Sequence, residues 1–265
     1  MRLPVFFVIG ALLLSGCVTE ESDDEARDEG VVPPGPVVLP WDLLDCAYVV
    51  WGVPVAGDAL EPHLPEGFTL GRSDGPLAPV VGDAFLGFES FVCDSGMGLD
   101  GRVEGMTYGS LFTSVEPPED LAIDGIDQYY YKWDPLVPDE PRRLFLQEAG
   151  MMARTGTATI DRPVEGLKRA AYTLEGVGSF SLEAPGTAPT PADGGGPFAE
   201  FTPLADGGHA VWRADYTTET RGSGDGVFRV DPGSWAAEVL GVTEGRANFN
   251  HGTWSFQNGN LTLPS

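Results

Sequence analysis

From Trp41 onward the chain is a succession of strand-length apolar segments separated by glycine and proline, and this spacing constrains the fold more than any other feature. Leu43 to Val55 is apolar and rich in β-branched and aromatic residues, and 78–93 and 106–115 read as strands on composition with weak alternation. Residues 126–136 carry Tyr129, Tyr130, Tyr131 and Trp133, a strand-favouring run. Further strands are predicted at 153–160, 169–174, 179–183, 198–204, 210–218, 227–230 and 246–256. Helical signals are short. Asp58 to Pro62 suits one turn, Asp139 caps a helix with Pro141 in its first turn, and Asp231-Pro232-Gly233-Ser234 opens another that runs to Leu240. Residues 184–197 read as a Gly/Pro-rich loop, and Gly222 to Gly226 as a hairpin turn. The expected class is mainly β, a β-rich α+β protein: a closed or nearly closed antiparallel β-barrel with two or three short helices.

The N-terminus sets an expected location. Arg2 precedes an apolar stretch from Leu3 to Leu14, which ends in Leu14-Ser15-Gly16-Cys17. That stretch has the length of a signal peptide and is short for a membrane span, which needs about 20 apolar residues. The run resembles a lipobox. Residues 1–16 would be removed, Cys17 would carry lipid, and the protein would sit on the cell membrane facing the extracytoplasmic side. Residues 17–40 then form an acidic, proline-rich tether, and 41–265 a single body. That body holds 33 of the 40 acidic residues and 13 of the 15 basic ones, within a formal charge of −25. Such a surface repels nucleic acid. With Lys132 and Lys168 the only lysines, it fits a protein folding in concentrated salt. Cys46 and Cys93 form an even pair in an oxidising compartment and are expected to bridge. No metal or cofactor is expected: no CxxC occurs, and His63, His209 and His251 are far apart in sequence.

Three segments resemble the acetoacetate decarboxylase-like superfamily. Val53 to Leu70 contains Leu64-Pro65-Glu66-Gly67-Phe68 after a strand and a short helix. Gly105-Met106-Thr107-Tyr108-Gly109-Ser110 is similar to a strand entering the family's pocket, and Leu146-Gln147-Glu148-Ala149-Gly150 to an Arg-Glu pair preceding its catalytic segment. The resemblance implies a closed barrel with a buried pocket, where family decarboxylases form a Schiff base between a lysine and a β-keto acid. The stretch matching the lysine segment, Gly150 to Gly156, has none. Arg154 cannot replace it, because a guanidinium stays protonated. The pocket glutamate is replaced near Ser110.

The expectation that follows is a barrel that binds a small organic acid or apolar ligand without catalysis. Arg154 would pair with the ligand's negative group, with Glu148, Tyr108, Ser110 and Met152 around it. The alternative is a divergent decarboxylase or lyase that uses acid–base residues such as Glu148 instead of a lysine. Lys132 lies in an aromatic strand, which would desolvate an inward amine, but it is expected on the surface, as is Lys168.

Overall fold

The structure is a computed structural model, described for residues 36–72, 84–98, 101–161, 166–186 and 188–264. The apolar N-terminal stretch, Cys17 and most of the tether lie outside the described residues. In chain order the strands are β1 (Val37–Pro40), β2 (Leu43–Pro54), β3 (Thr69–Leu70), β4 (Phe85–Gly98), β5 (Gly101–Glu116), β6 (Tyr129–Leu136) and β7 (Gly156–Asp161). They continue as β8 (Arg169–Leu174), β9 (Gly178–Glu183), β10 (Thr190–Pro203), β11 (His209–Val230) and β12 (Glu244–Leu263). Three short helices interrupt them: α1 (Gly57–Leu60), α2 (Glu140–Glu148) and α3 (Trp235–Leu240).

Seven strands close into a ring in the order β12-β2-β4-β5-β6-β10-β11, and β11 pairs back onto β12. Every neighbouring pair in the ring is antiparallel except β6–β10, which is parallel. The far end of β11 leaves the ring and carries the meander β9-β8-β7. β1 adds to the edge of β12, so Val37 to Pro40 belongs to the folded body and not, as expected, to a disordered tether.

Side chains alternate across a strand, and the ring therefore buries apolar clusters on both of its faces, two large ones beside a smaller one of Phe68, Val115, Tyr131 and Phe201. One face gathers Tyr48, Phe91, Phe112, Trp212 and Phe256. The opposite face gathers Trp51, Phe88, Leu111 and Phe249, covered by Tyr172, Phe180 and Leu182 of the meander. Each such buried side chain contributes about 1.5–3 kcal/mol.

Two sequence expectations are corrected by glycine packing. Residues 190–197 belong to β10, and Gly222 to Gly226 lie within β11, paired residue for residue with His251 to Ala247. A Cβ on Gly222 would stand 2.4 Å from His251 Nε2, and one on Gly226 2.6 Å from Leu182. These glycines are there to admit large neighbours, not to turn the chain. Elsewhere the local chemistry acts as expected: the Asp139 carboxylate accepts from the Arg142 amide to cap α2, and Ser234 caps α3.

Cys46 and Cys93 are directly opposite on β2 and β4 and are bridged. The bridge closes a loop spanning 47 positions, so reduction is expected to cost about 2–4 kcal/mol, readable as a lower urea midpoint in dithiothreitol. Gly259 sits against the strap that enters the barrel: an added Cβ would lie 2.0 Å from the Trp41 carbonyl. Gly259→Ala should therefore destabilise by about 1–3 kcal/mol in a thermal melt.

Candidate functional site

The alternation that fills the barrel also carries charge into it. On β4, Phe85, Phe91 and Cys93 face the first core, and Glu89 shares their parity. On β10, Glu200 follows Phe198 by two, and on β6, Lys132 follows Tyr130 by two. All three are buried: Lys132 is 1 % exposed, Glu89 and Glu200 3 % each. The expectation of a surface Lys132 is therefore corrected. Strand parity turns its amine inward, and only Tyr131 and Trp133 on either side face the opposite way.

The Lys132 ammonium bridges both carboxylates. Nζ contacts Glu89 Oε1, and Glu200 Oε1 at 2.6 Å. Ser110 Oγ donates to Glu89 Oε1 at 2.7 Å and fixes its orientation. Nζ lies 4.9 Å from the centre of the Tyr108 ring, with Trp212 and Phe91 at 5.7 and 5.8 Å.

Burial, with Glu89 nearby, pushes the Glu200 carboxyl up to about 8 against the pull of Lys132. The Tyr108 and Tyr48 phenols are raised well above their usual range by burial and by the two glutamates. Both stay protonated, and the buried Tyr48 hydroxyl meets no acceptor among the described residues.

A backbone irregularity shapes this wall. The β5–β6 register shifts beside Ser110, and Asp134 adopts φ 47°, in the left-handed region. The Ser110 carbonyl receives the Tyr172 hydroxyl at 2.9 Å in place of a ladder partner. Arg154 Nε grips Asp134 Oδ1 at 2.7 Å.

Arg154 thus braces the bulge, its side chain one-third exposed. Glu148 is exposed at the end of α2 and Met152 is 41 % exposed. None of the three lines either cavity described below. Tyr108 and Ser110 do join the buried cluster. Sequence reasoning missed Glu89 and Glu200; the available signal was an acid inside an otherwise apolar strand, Phe88-Glu89-Ser90-Phe91 and Phe198-Ala199-Glu200-Phe201.

Two cavities meet at Trp41, Tyr108 and Val137. The inner one, about 20 Å³, reaches Glu200 between Met151 and Trp212. The outer one, about 90 Å³, opens beside α2 and is walled by Met106, Leu136 and Arg142. Met151, in the stretch resembling the family's lysine segment, lines the inner cavity, whereas the amine comes from β6.

No family model and no curated protein matches the sequence. Solved structures do. The acetoacetate decarboxylase of Legionella pneumophila superposes with a TM-score of 0.53 at 13 % identity, over 95 % of this chain and 96 % of that one. The enduracididine biosynthesis enzyme MppR, complexed with a condensation product of pyruvate and imidazole 4-carboxaldehyde, gives 0.46 at 13 % over 85 % and 89 %. An acetoacetate decarboxylase-like enzyme from Sphingomonas wittichii gives 0.43 at 12 % over 86 % and 93 %. The fold is the β-rich fold of the acetoacetate decarboxylase type.

Proposed function

We propose that this barrel is a divergent acetoacetate decarboxylase-like enzyme that forms an imine between Lys132 and a small carbonyl compound, with Glu200 as proton acceptor and donor. The observation that carries the reading is a fully buried amine held between two carboxylates, one of which, Glu200, lines a cavity. It departs from the expected non-catalytic binder, whose premise was a barrel without an amine.

An ammonium cannot attack a carbonyl, so the proton must leave first. A carboxyl raised to about 8 is a far stronger base than an ordinary glutamate, and it lies 2.6 Å from the amine. Proton transfer from Lys132 to Glu200 turns an ion pair into two neutral groups, which a dry interior tolerates better. The neutral amine then adds to the carbonyl carbon, and the Glu200 proton goes to the carbinolamine oxygen, which leaves as water. Lys132 is bonded to the former carbonyl carbon, and Glu89, oriented by Ser110, balances the resulting cation.

Borohydride trapping with pyruvate or acetoacetate tests this directly, since only an imine is reduced to a stable adduct. The adduct is expected on Lys132, at a rate that rises with pH to a plateau above about 8, where Glu200 is ionised. An adduct confined to Lys168, or none, overturns the reading.

A second reading, non-covalent binding of a small organic acid, is favoured by the two carboxylates and three rings that already surround the Lys132 amine. It predicts saturable binding without trapping. In either case the proposed setting is the extracytoplasmic face of the membrane, with lipid on Cys17, a tether up to residue 36 and an acidic body adapted to high salt. Radiolabelled lipid precursor incorporated by wild type and absent from Cys17→Ser would support the anchor.

A further inference from the structure

The outer cavity contains a second buried cation that the amine chemistry does not use. Arg142 is the only buried arginine among the described residues, 7 % exposed overall and 8 % in its side chain. Its nearest acidic atom is Asp139 Oδ1, 3.9 Å from Nε, and that oxygen already accepts the Arg142 amide as the cap of α2. The guanidinium donates to no protein acceptor among the described residues. Every other ion-paired arginine described here is at least one-third exposed: Arg154 on Asp134, and Arg229 between Glu183 and Glu244. A largely buried guanidinium without protein acceptors leaves its donors to solvent or a ligand in the cavity.

We infer that Arg142 is the anchor of a carboxylate-binding site in the outer cavity, where a short aliphatic monocarboxylate seats its head on the guanidinium and its chain against Met106, Leu136 and Val137. A planar fork of N–H donors matches the two oxygens of a carboxylate. Met106, Leu136 and Val137 give the chain an apolar side of the wall to lie against, and Glu104, Thr107 and Asp139 make up the polar side. The volume, about 90 Å³, is smaller than the roughly 150 Å³ that admits benzene, which limits the enclosed part to acids of about two or three carbons. Glu104 and Asp139 also face this cavity, but both are exposed, so solvent screens their charges more than that of the largely buried guanidinium.

The inference deepens the proposed function by naming a ligand class for the mouth of the same site: Tyr108, Trp41 and Val137 separate the anchor from the inner cavity. Its test is independent of imine chemistry, because acetate offers no carbonyl for trapping. Titrate the folded protein with acetate, propionate and uncharged acetamide, following heat and tryptophan fluorescence, since Trp41 lines the cavity. Saturable binding of acetate and propionate without acetamide is expected. Arg142→Gln should weaken it at least tenfold, and Arg142→Lys, which keeps charge but not the fork, severalfold. If Arg142→Gln fails to fold, the lysine variant and the acetamide comparison still decide. Equal binding of acetamide, undiminished binding by folded Arg142→Gln or Arg142→Lys, or no saturable binding to wild type overturns the inference. A failed trapping experiment with intact acetate binding would remove the imine reading and leave the anchor standing.

Discussion

Replacing Lys132 by methionine is expected to lower unfolding free energy by about 3–5 kcal/mol at neutral pH, because it leaves two buried carboxylates facing each other without their shared cation. The hydrocarbon stem is nearly conserved in volume, so the loss is electrostatic and not a cavity. Two controls separate these causes. The Lys132→Met penalty should shrink on acidification, as the buried and now unpaired Glu200 takes up a proton, and it should shrink again when Glu89→Gln and Glu200→Gln are added. Urea denaturation at pH 5 and pH 8 reads both. A penalty below about 1 kcal/mol at neutral pH would mean that the amine is hydrated and not locked between the glutamates. The same variant should abolish borohydride trapping, whereas Lys168→Met should leave it unchanged.

The pH dependence of stability should carry the signature of Glu200. Its carboxyl lies near 8 in the folded protein against an ordinary 4.5. The folded state therefore holds a proton that the unfolded chain releases between those values. The stability this group contributes is complete below about pH 4.5, declines as pH rises, and is gone above about 8. The slope cannot exceed about 1.4 kcal/mol per pH unit, and coupling to Lys132 shares part of it, so the total amounts to a few kcal/mol. The other acidic residues add their own slopes, so the relevant quantity is the difference between wild type and Glu200→Gln. Wild type should lose stability relative to the variant between pH 5 and 8. Parallel curves would place the buried proton elsewhere.

Much of the barrel could be read from the chain, because strand-forming segments bounded by prolines and glycines are a local property. The segment 169–174 coincides with β8, and the Asp139 cap fixes where α2 begins. Local reading failed where glycine serves a neighbour instead of its own backbone. Gly222, Gly224 and Gly226 look like a turn until β12 lies beside them with His251 and Phe249. The same limit hid the centre of the site. Lys132, Glu89 and Glu200 are 43, 68 and 111 positions apart in pairs, and no spacing rule links residues that meet only after ring closure. Their parity was legible, though: each sits two residues from an aromatic, on the buried face of its own strand. Arg154 drew attention as the one charge in a segment that resembles a family lysine region, yet its partner was set by the left-handed backbone at Asp134, which sequence does not display.

The short edge strand at the start of the body has a mechanical consequence. β1 runs antiparallel along β12 through four paired positions, Val37 to Leu263 through Pro40 to Asn260. Traction from the amino-terminal side acts along its axis, so these pairs are loaded in shear and share the strain instead of unzipping one at a time. The next residue is Trp41, whose carbonyl receives the Trp212 indole at 2.9 Å and which lines both chambers. A pull strong enough to slide this ribbon would reach the doorway of the barrel before it reached any other part of the wall.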